Sequence, residues 1–152
     1  MRVPIQTLMR RLLIPVALVL SAVLPASVPA APSSPVHSAS WSSQANQVCV
    51  AWLAKAKKEF GNPVTPAQLY TFAQKAKALE SQELGLLEKI PGRTAAGTAA
   101  LAAVKVDIAE VGSAITAWNA GKPAQFVSIL KKYLNDGRPK SAFAMAGATQ
   151  CG

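Results

Sequence analysis

The stretch from Gly97 to Trp118 constrains the fold more than any other part of the chain. Large apolar side chains recur in it at alternating steps of three and four residues: Leu101, Val104, Ile108, Val111, Ile115 and Trp118. This spacing places all six on one face of an α-helix, and other helices must cover such a face. The residues between them are small or polar, including Asp107 and Glu110, and are expected on a thin, solvated side. The stretch therefore predicts a scaffold helix whose buried seam holds no reactive group.

Residues 1–30 have the pattern of an export signal. Three arginines form a positive segment, an apolar run covers 12–24, and small residues precede a cleavage point after Ala30, with Ala26 as the second choice. The apolar run is shorter than the roughly 20 residues that span a bilayer, so a retained membrane helix is the weaker interpretation. We predict a secreted or cell-envelope protein with no stable membrane insertion after signal removal.

Residues 31–43 are rich in Ser, Pro and Ala and contain the only histidine, His37. They show no apolar periodicity, and such a composition favours a flexible segment over a packed one. We therefore predict a tether over 31–43 and a helical domain over 44–152. Signal removal takes away three of the 16 basic residues and none of the seven acidic ones, which lowers the net charge from +9 to +6.

Turn and cap residues divide the domain into about four helices. They run from Ser42 or Ser43 to Phe60, from the Thr65 cap to about Ile90, from the Thr94 cap to Trp118 and from Pro123 to Leu134, with a short segment over 140–145. The sharpest local signal is Thr65-Pro66-Ala67-Gln68, which combines a cap, a first-turn proline and the partner of a capping box. No run alternates with the period of a strand. The sequence predicts an all-α, antiparallel bundle with a flexible N-terminal tether and one disulfide.

The two cysteines, Cys49 and Cys151, are expected to form that disulfide, because an exported chain with an even cysteine count favours pairing. The bond would close a loop of about 100 residues and would stabilise the fold by up to roughly 4–5 kcal/mol on the chain-entropy model. A buried free thiol at Cys49 and an intermolecular bridge through Cys151 are the alternatives.

One acid, Glu83, falls in the apolar seam of the second helix. A buried Glu83 would be a candidate functional carboxylate. A register shift near Gly85, with Leu84 and Leu87 taking over the packing, or a side chain that reaches solvent explains it more simply. The acids are otherwise expected mostly on outer helical faces, so we interpret the Asp107 and Glu110 pair as solvated surface.

The composition argues against several classes of active site. Metal sites use three or four clustered ligands, whereas the only histidine lies in the tether and the cysteines are expected to pair. No glycine-rich phosphate loop, dinucleotide fingerprint or CxxCH haem motif occurs. Secreted helical chorismate mutases bind a dianion through inward basic residues, but the arginines that remain after export, Arg93 and Arg138, stand at helix ends. We predict no enzyme activity, no metal and no cofactor.

The basic residues come in twos and threes at separate helix ends, which argues against nucleic-acid binding. Lys55, Lys57 and Lys58 form one such group. They are either an anion-binding patch or, more simply, cations favoured at the end of any helix. Weak attraction to anionic surfaces such as phospholipid headgroups or wall polymers is compatible with the charge of +6.

The span from Cys49 to Gly152 resembles the small secreted, Ala-rich helical proteins of high-GC Gram-positive bacteria. The residues that carry the resemblance are Cys49, the Thr65-Pro66 helix start and the terminal Cys151-Gly152. The resemblance implies a disulfide-tied helical bundle outside the membrane and implies no activity. The Gly137-Arg138-Pro139 break departs from that pattern and puts a continuous last helix in doubt.

Together these features predict an exported, non-enzymatic module that binds a partner or serves a structural role at or beyond the cell surface. The expected partner is an envelope protein or an anionic polymer. The alternative is a carrier of a small apolar ligand held between helices. Four aromatic residues are the candidates to face such a ligand: Trp52, Phe72, Trp118 and Phe126.

Overall fold

The computed structural model describes residues 39–151, and these residues are all-α. The helices are α1 (Trp41–Glu59), α2 (Pro66–Glu88), α3 (Ala95–Asn119), α4 (Pro123–Leu134) and the short α5 (Arg138–Met145). The predicted all-α bundle of about four helices is confirmed, and the predicted short segment over 140–145 is α5, which begins two residues earlier, at Arg138. The predicted signal and the first part of the tether lie outside the described residues. No described helix has the length and apolarity needed to cross a membrane.

Local cap chemistry sets the ends of the helices. The Thr65 hydroxyl accepts from the Gln68 N–H at 3.2 Å, and the Gln68 side chain accepts from the Thr65 N–H at 3.0 Å, which completes the predicted capping box. At the end of α3, Gly121 has φ +69°, and the Lys122 N–H donates to the Ala117 carbonyl at 2.9 Å. This closure needs a left-handed residue, and glycine adopts that conformation without strain.

The first helix begins earlier than predicted. Ser40, rather than Ser42 or Ser43, caps it by accepting from the Ser43 N–H at 3.3 Å, so residues 41–43 belong to α1 and not to the tether. Trp41 is the physical reason, since its indole is buried and stacked against Phe143. Sequence composition near the tether did not reveal that this tryptophan belongs to the core.

Helix α3 lies at the centre of the bundle and contacts α2, α4 and α5. Leu101, Val104 and Val111 of the predicted seam are buried, but Ile108, Ile115 and Trp118 are half-buried. Alanines fill much of the remaining interface, at positions 100, 114 and 117. A helix covered by three neighbours buries more than one stripe, and the buried face here extends to Asp107. The expectation of a solvated Asp107 was therefore wrong.

The apolar interior forms two clusters, one toward each end of α3. The disulfide cluster is built from α1, the C-terminal end of α2, the first half of α3, α5 and the tail. Its buried members are Trp41, Ala45, Cys49, Leu87, Ile90, Ala100, Leu101, Val104, Ala142, Phe143, Ala148 and Cys151. The aromatic cluster joins the first half of α2 to the second half of α3 and to α4; its buried members are Ala73, Val111, Ala114, Ala117, Phe126 and Leu130.

Cys49 and Cys151 are bonded to each other, across 102 residues of sequence and with a Cα–Cα distance of 5.1 Å. Both are 2% exposed, so the bond lies inside the disulfide cluster. The tail is held further by the Gln150 N–H, which donates to the Asn46 side chain at 2.8 Å. The predicted pairing is confirmed, and it fixes the C-terminal tail on α1.

Candidate functional site: a buried acid layer

Three carboxyl groups lie at the level where the two apolar clusters meet. Glu80 and Glu83 come from α2, between the parts of that helix that contribute to the aromatic and the disulfide cluster, and Asp107 comes from the corresponding part of α3. Their exposures are 9%, 9% and 8%. The sequence expectation that acids other than Glu83 lie mostly on outer faces is wrong for Glu80 and Asp107. Together with Tyr133 of α4 we call them the acid layer.

Glu80 joins α2 to α4. Its Oε1 accepts a short hydrogen bond from the Tyr133 hydroxyl, while its Oε2 is buried and has no hydrogen-bond partner. Burial raises the pKa of Glu80 to about 7, although the Tyr133 hydrogen bond acts in the opposite direction. The Tyr133 pKa is also raised, by burial and by the nearby Glu80 charge. Glu80 therefore holds a proton through much of the range below neutral pH.

Glu83 is the acid that the sequence singled out, and the structure buries it. Leu87 takes over the packing of this part of α2 and is fully buried, whereas Leu86 is 54% exposed; the predicted register shift is confirmed. Burial, with repulsion from Glu80 as the second cause, raises the pKa of Glu83 to about 8. The register shift thus occurs without removing Glu83 from the buried face, and the alternative of a side chain that reaches solvent is wrong.

Asp107 borders a second group of charges. Arg138 donates to Glu110 at 3.0 Å and pairs closely with Asp136, but its nearest approach to Asp107 is 3.9 Å. Lys132 also pairs with Glu110, at 2.8 Å. Burial and the Asp136 charge raise the pKa of Asp107 to about 6, while hydrogen bonds from Lys132 and Arg138 lower the pKa of Glu110, and Arg138 lowers that of Asp136.

Asp107, Glu110 and Asp136 bring one carboxylate oxygen each within 4.8 Å of one another. Such spacing could accommodate a hard cation with oxygen ligands. In this structure the Arg138 guanidinium already supplies positive charge to all three acids. The group therefore carries its own counter-ion, and the geometry describes an ion-pair network that anchors the start of α5 on α3.

Basic and acidic residues are distributed in opposite ways. Within the described part of the chain every lysine and arginine is exposed, whereas only two acids are exposed, Glu59 and Glu88. Three acids are buried in the acid layer, and the other two, Glu110 and Asp136, are half-buried beside Arg138. The outer surface is consequently more positive than the net charge indicates.

The α1 lysine cluster, consisting of Lys55, Lys57, Lys58 and Lys75, lies around the C-terminal end of α1. The Lys75 ammonium donates to the Glu59 carbonyl at 3.3 Å, and Lys55 lies 3.9 Å from the Glu59 carboxylate. Two helices thus contribute cations to one area that contains a single exposed acid. The contribution from α2 could not be read from the local sequence group 55–58.

Three of the four predicted ligand-facing aromatics, Phe72, Trp118 and Phe126, belong to the aromatic cluster, and Trp52 belongs to neither cluster. Trp118 packs edge-to-face against Phe126 with ring centroids 5.1 Å apart, within the aromatic cluster. Phe72 packs against Phe60 at 5.0 Å. Trp52 is half-buried on α1, and its indole nitrogen has no hydrogen-bond partner. Trp118 and Phe126 act as core side chains here, and an apolar-ligand site stays a prediction.

Glu80, Asp107, Tyr133 and Arg138 were not singled out by sequence reasoning as site residues. A signal existed, since Glu80 and Glu83 are three residues apart, as are Asp107 and Glu110, and each pair lies on one face of its helix. Which face is buried depends on the neighbouring helices.

Comparisons with protein-family models, curated proteins and solved structures find no match for this chain.

Proposed function

We propose that the protein is an exported, non-enzymatic binding module that attaches to an anionic polymer of the cell envelope. The observation that carries this proposal is the separation of charge: the basic side chains of the described residues are all exposed, and most acids are buried or half-buried. A surface of this kind attracts polyanions because binding releases the counter-ions that the polymer had condensed.

The α1 lysine cluster is the proposed contact area. Lys57 and Lys58 make no ion pair within the described residues. Lys55 pairs with the exposed carboxylate of Glu59, and Lys75 donates to the backbone carbonyl of the same residue. Helix ends elsewhere carry fewer cations or pair them, as Lys132 in the last turn of α4 pairs with Glu110 at 2.8 Å. A linear polyanion with regularly spaced phosphates can contact several of these ammonium groups at once, whereas a single small anion cannot.

The closed acid layer supports the non-enzymatic part of the proposal. A general acid or base must lie within hydrogen-bond reach of its substrate. The unpartnered oxygens of Glu80 and Asp107 have almost no solvent-accessible surface. The pKa values of these two groups are raised because the groups are buried in the packed interior, and neither group lines a cleft that a substrate could enter.

The apolar-ligand carrier is the weaker candidate. A ligand between Trp118 and Phe126 would have to separate two rings that already contact each other, together with Tyr70. The open groove beside α4, with a volume of about 520 Å³, is lined by polar and charged side chains instead. Trp fluorescence during titration with fatty acid distinguishes the two: a carrier predicts a saturable change, and the binding module predicts none.

Binding to polyphosphate tests the main proposal. The variant is the fourfold Lys→Gln change in the α1 lysine cluster, and the matched control is the same change at four exposed lysines elsewhere, Lys89, Lys122, Lys131 and Lys140. At about 50 mM salt we expect the cluster variant to lose at least about tenfold in affinity and the control less than about threefold. Equal losses would contradict the assigned contact area, and absence of binding by the unaltered protein would contradict the function.

Export is tested separately. Fractionation of cells expressing the full chain, followed by N-terminal sequencing, should place the protein outside the cytoplasm with a mature start at Ala31. Recovery of uncleaved protein in the cytoplasm, with two free thiols, would contradict it.

A further inference from the structure

We propose that the acid layer is a proton-operated latch, which holds α2 against α3 and α4 while its carboxyl groups are protonated and loosens that contact when they ionise. This device is independent of polymer binding. It rests on three buried carboxyls that two helices bring to the boundary between two apolar clusters.

The packing of α2 against α3 and α4 brings acidic groups together with no cation paired to Glu80 or Glu83. Glu80 of α2 lies near Asp107 of α3 and Tyr133 of α4, and Glu83 lies near Glu80 and Tyr133. None of these groups is a cation. If Glu80 and Glu83 ionised, they would place negative charge beside other acidic groups. Burial increases the free-energy cost of that charge.

Three of the nearby cations already have partners. Lys132 and Arg138 bind Glu110 and Asp136, and on the side of α1 Lys55 reaches Gln82 and Glu59. Lys77, one turn before Glu80 on α2, is an exposed residue that extends toward Gly112 of α3, and it forms no ion pair with Glu80 or Glu83. Protons are thus the available means of neutralising Glu80 and Glu83 in the folded chain.

The direction of the effect follows from linkage. Folding raises the pKa of Glu80 to about 7 and that of Glu83 to about 8, whereas both are near 4.5 in the unfolded chain. Between these limits the folded state binds more protons than the unfolded state, so stability falls as pH rises. The stabilisation is complete below about pH 4.5 and is lost by about pH 8 to 9.

The position of the layer makes the response local. The disulfide holds α1 and the tail in one cluster, and aromatic packing holds α4 in the other, while the middle of α2 is held by Ala76, Leu79 and the two glutamates. Ionisation acts on this middle segment. We expect it to open before the clusters at either side do.

Thermal unfolding between pH 5 and pH 9 at constant ionic strength, with EDTA present, tests the proton dependence. The unaltered protein should melt about 8 °C or more lower at pH 9 than at pH 5. Glu83→Gln, which removes the charge but keeps the shape, should remove at least about half of that decrease, and Glu80→Gln provides a second neutral variant if Glu83→Gln folds poorly. The control Glu59→Gln, at an exposed acid, should follow the unaltered protein.

Trypsin cleavage after Lys77 tests the opening of α2. The ratio of cleavage rates, unaltered protein over Glu83→Gln, cancels the pH dependence of the protease. We expect this ratio to rise at least about threefold between pH 6 and pH 9, with a midpoint between the pKa values of about 7 and 8 for Glu80 and Glu83. A constant ratio, or a melting temperature that stays level or rises with pH, would overturn the latch.

Discussion

The two apolar clusters of this bundle are secured by different means. The disulfide cluster has few large side chains near the start of α3, where residues 95–100 carry almost no bulk, and a covalent bond holds its most distant segments together. The aromatic cluster has no covalent bond, and the rings of Tyr70, Trp118 and Phe126 contact one another. A chain of modest size can thus stabilise one half by restricting the unfolded state and the other by apolar burial.

The largest effect is expected from removal of the covalent bond. Cys49→Ala with Cys151→Ala should lower the free energy of unfolding by about 4 kcal/mol, because the bond closes a loop of 102 residues. Urea denaturation measures the loss. Near-UV circular dichroism should show the Trp41 environment altered before that of Trp118. A loss below about 1 kcal/mol would mean that both clusters are secured in the same way.

The matching change in the other half is Phe126→Ala. Phe126 is fully buried and contacts two aromatic rings, so its truncation should cost about 3 kcal/mol through lost burial and the cavity left behind. Urea denaturation again gives the value, with the disulfide verified as intact by thiol titration. A cost below about 1 kcal/mol would show that the aromatic packing is incidental.

Arg138→Gln should change how the melting temperature depends on pH in the acidic range. Its effect should be smaller than those of the two core changes. Arg138 lowers the pKa of Asp136 and of Glu110, and such groups stabilise the fold above their unfolded pKa and lose that contribution as pH falls below about 4. The variant should therefore flatten the decrease in melting temperature between pH 5 and pH 3. An unchanged acidic limb would show that α5 does not depend on this network.

The smallest effects on stability are expected from alanine substitutions at two helical glycines, and the two substitutions should differ. Gly85→Ala meets no atom within 4 Å and should stabilise the protein by about 0.5–1 kcal/mol through helix propensity. At Gly97 an added Cβ would lie 3.1 Å from the Trp41 ring and 3.0 Å from Arg93, so Gly97→Ala should bring no gain or a loss. Thermal melts compare them. A gain at Gly97 equal to that at Gly85 would mean that Trp41 is not packed closely on α3.

Features set by neighbouring residues could be predicted from sequence. The Thr65 to Gln68 capping box and the shift of packing to Leu87 near Gly85 follow from a few adjacent side chains, and the structure confirms them. The cysteine pairing required only the even count and the expectation of export.

The acid layer depends on contacts between distant segments, and for that reason the sequence did not reveal it. Periodicity assumes that a helix has one covered face, whereas α3 is covered by three helices, and this places Asp107 inside. Tyr133, the hydrogen-bond partner of Glu80, lies 53 residues further along the chain. Arg138 likewise meets Glu110 only because α5 folds back on α3.

The central claim is that this basic chain keeps three of its acids inside. A ¹³C NMR titration of labelled Asp and Glu carboxyl groups tests it most directly, with Glu80→Gln, Glu83→Gln and Asp107→Asn used for assignment. We predict that Asp107 titrates near pH 6, Glu80 near 7 and Glu83 near 8, and that Glu88, Glu110 and Asp136 titrate below their usual range. Titration of every carboxyl group below about pH 5 would contradict the account.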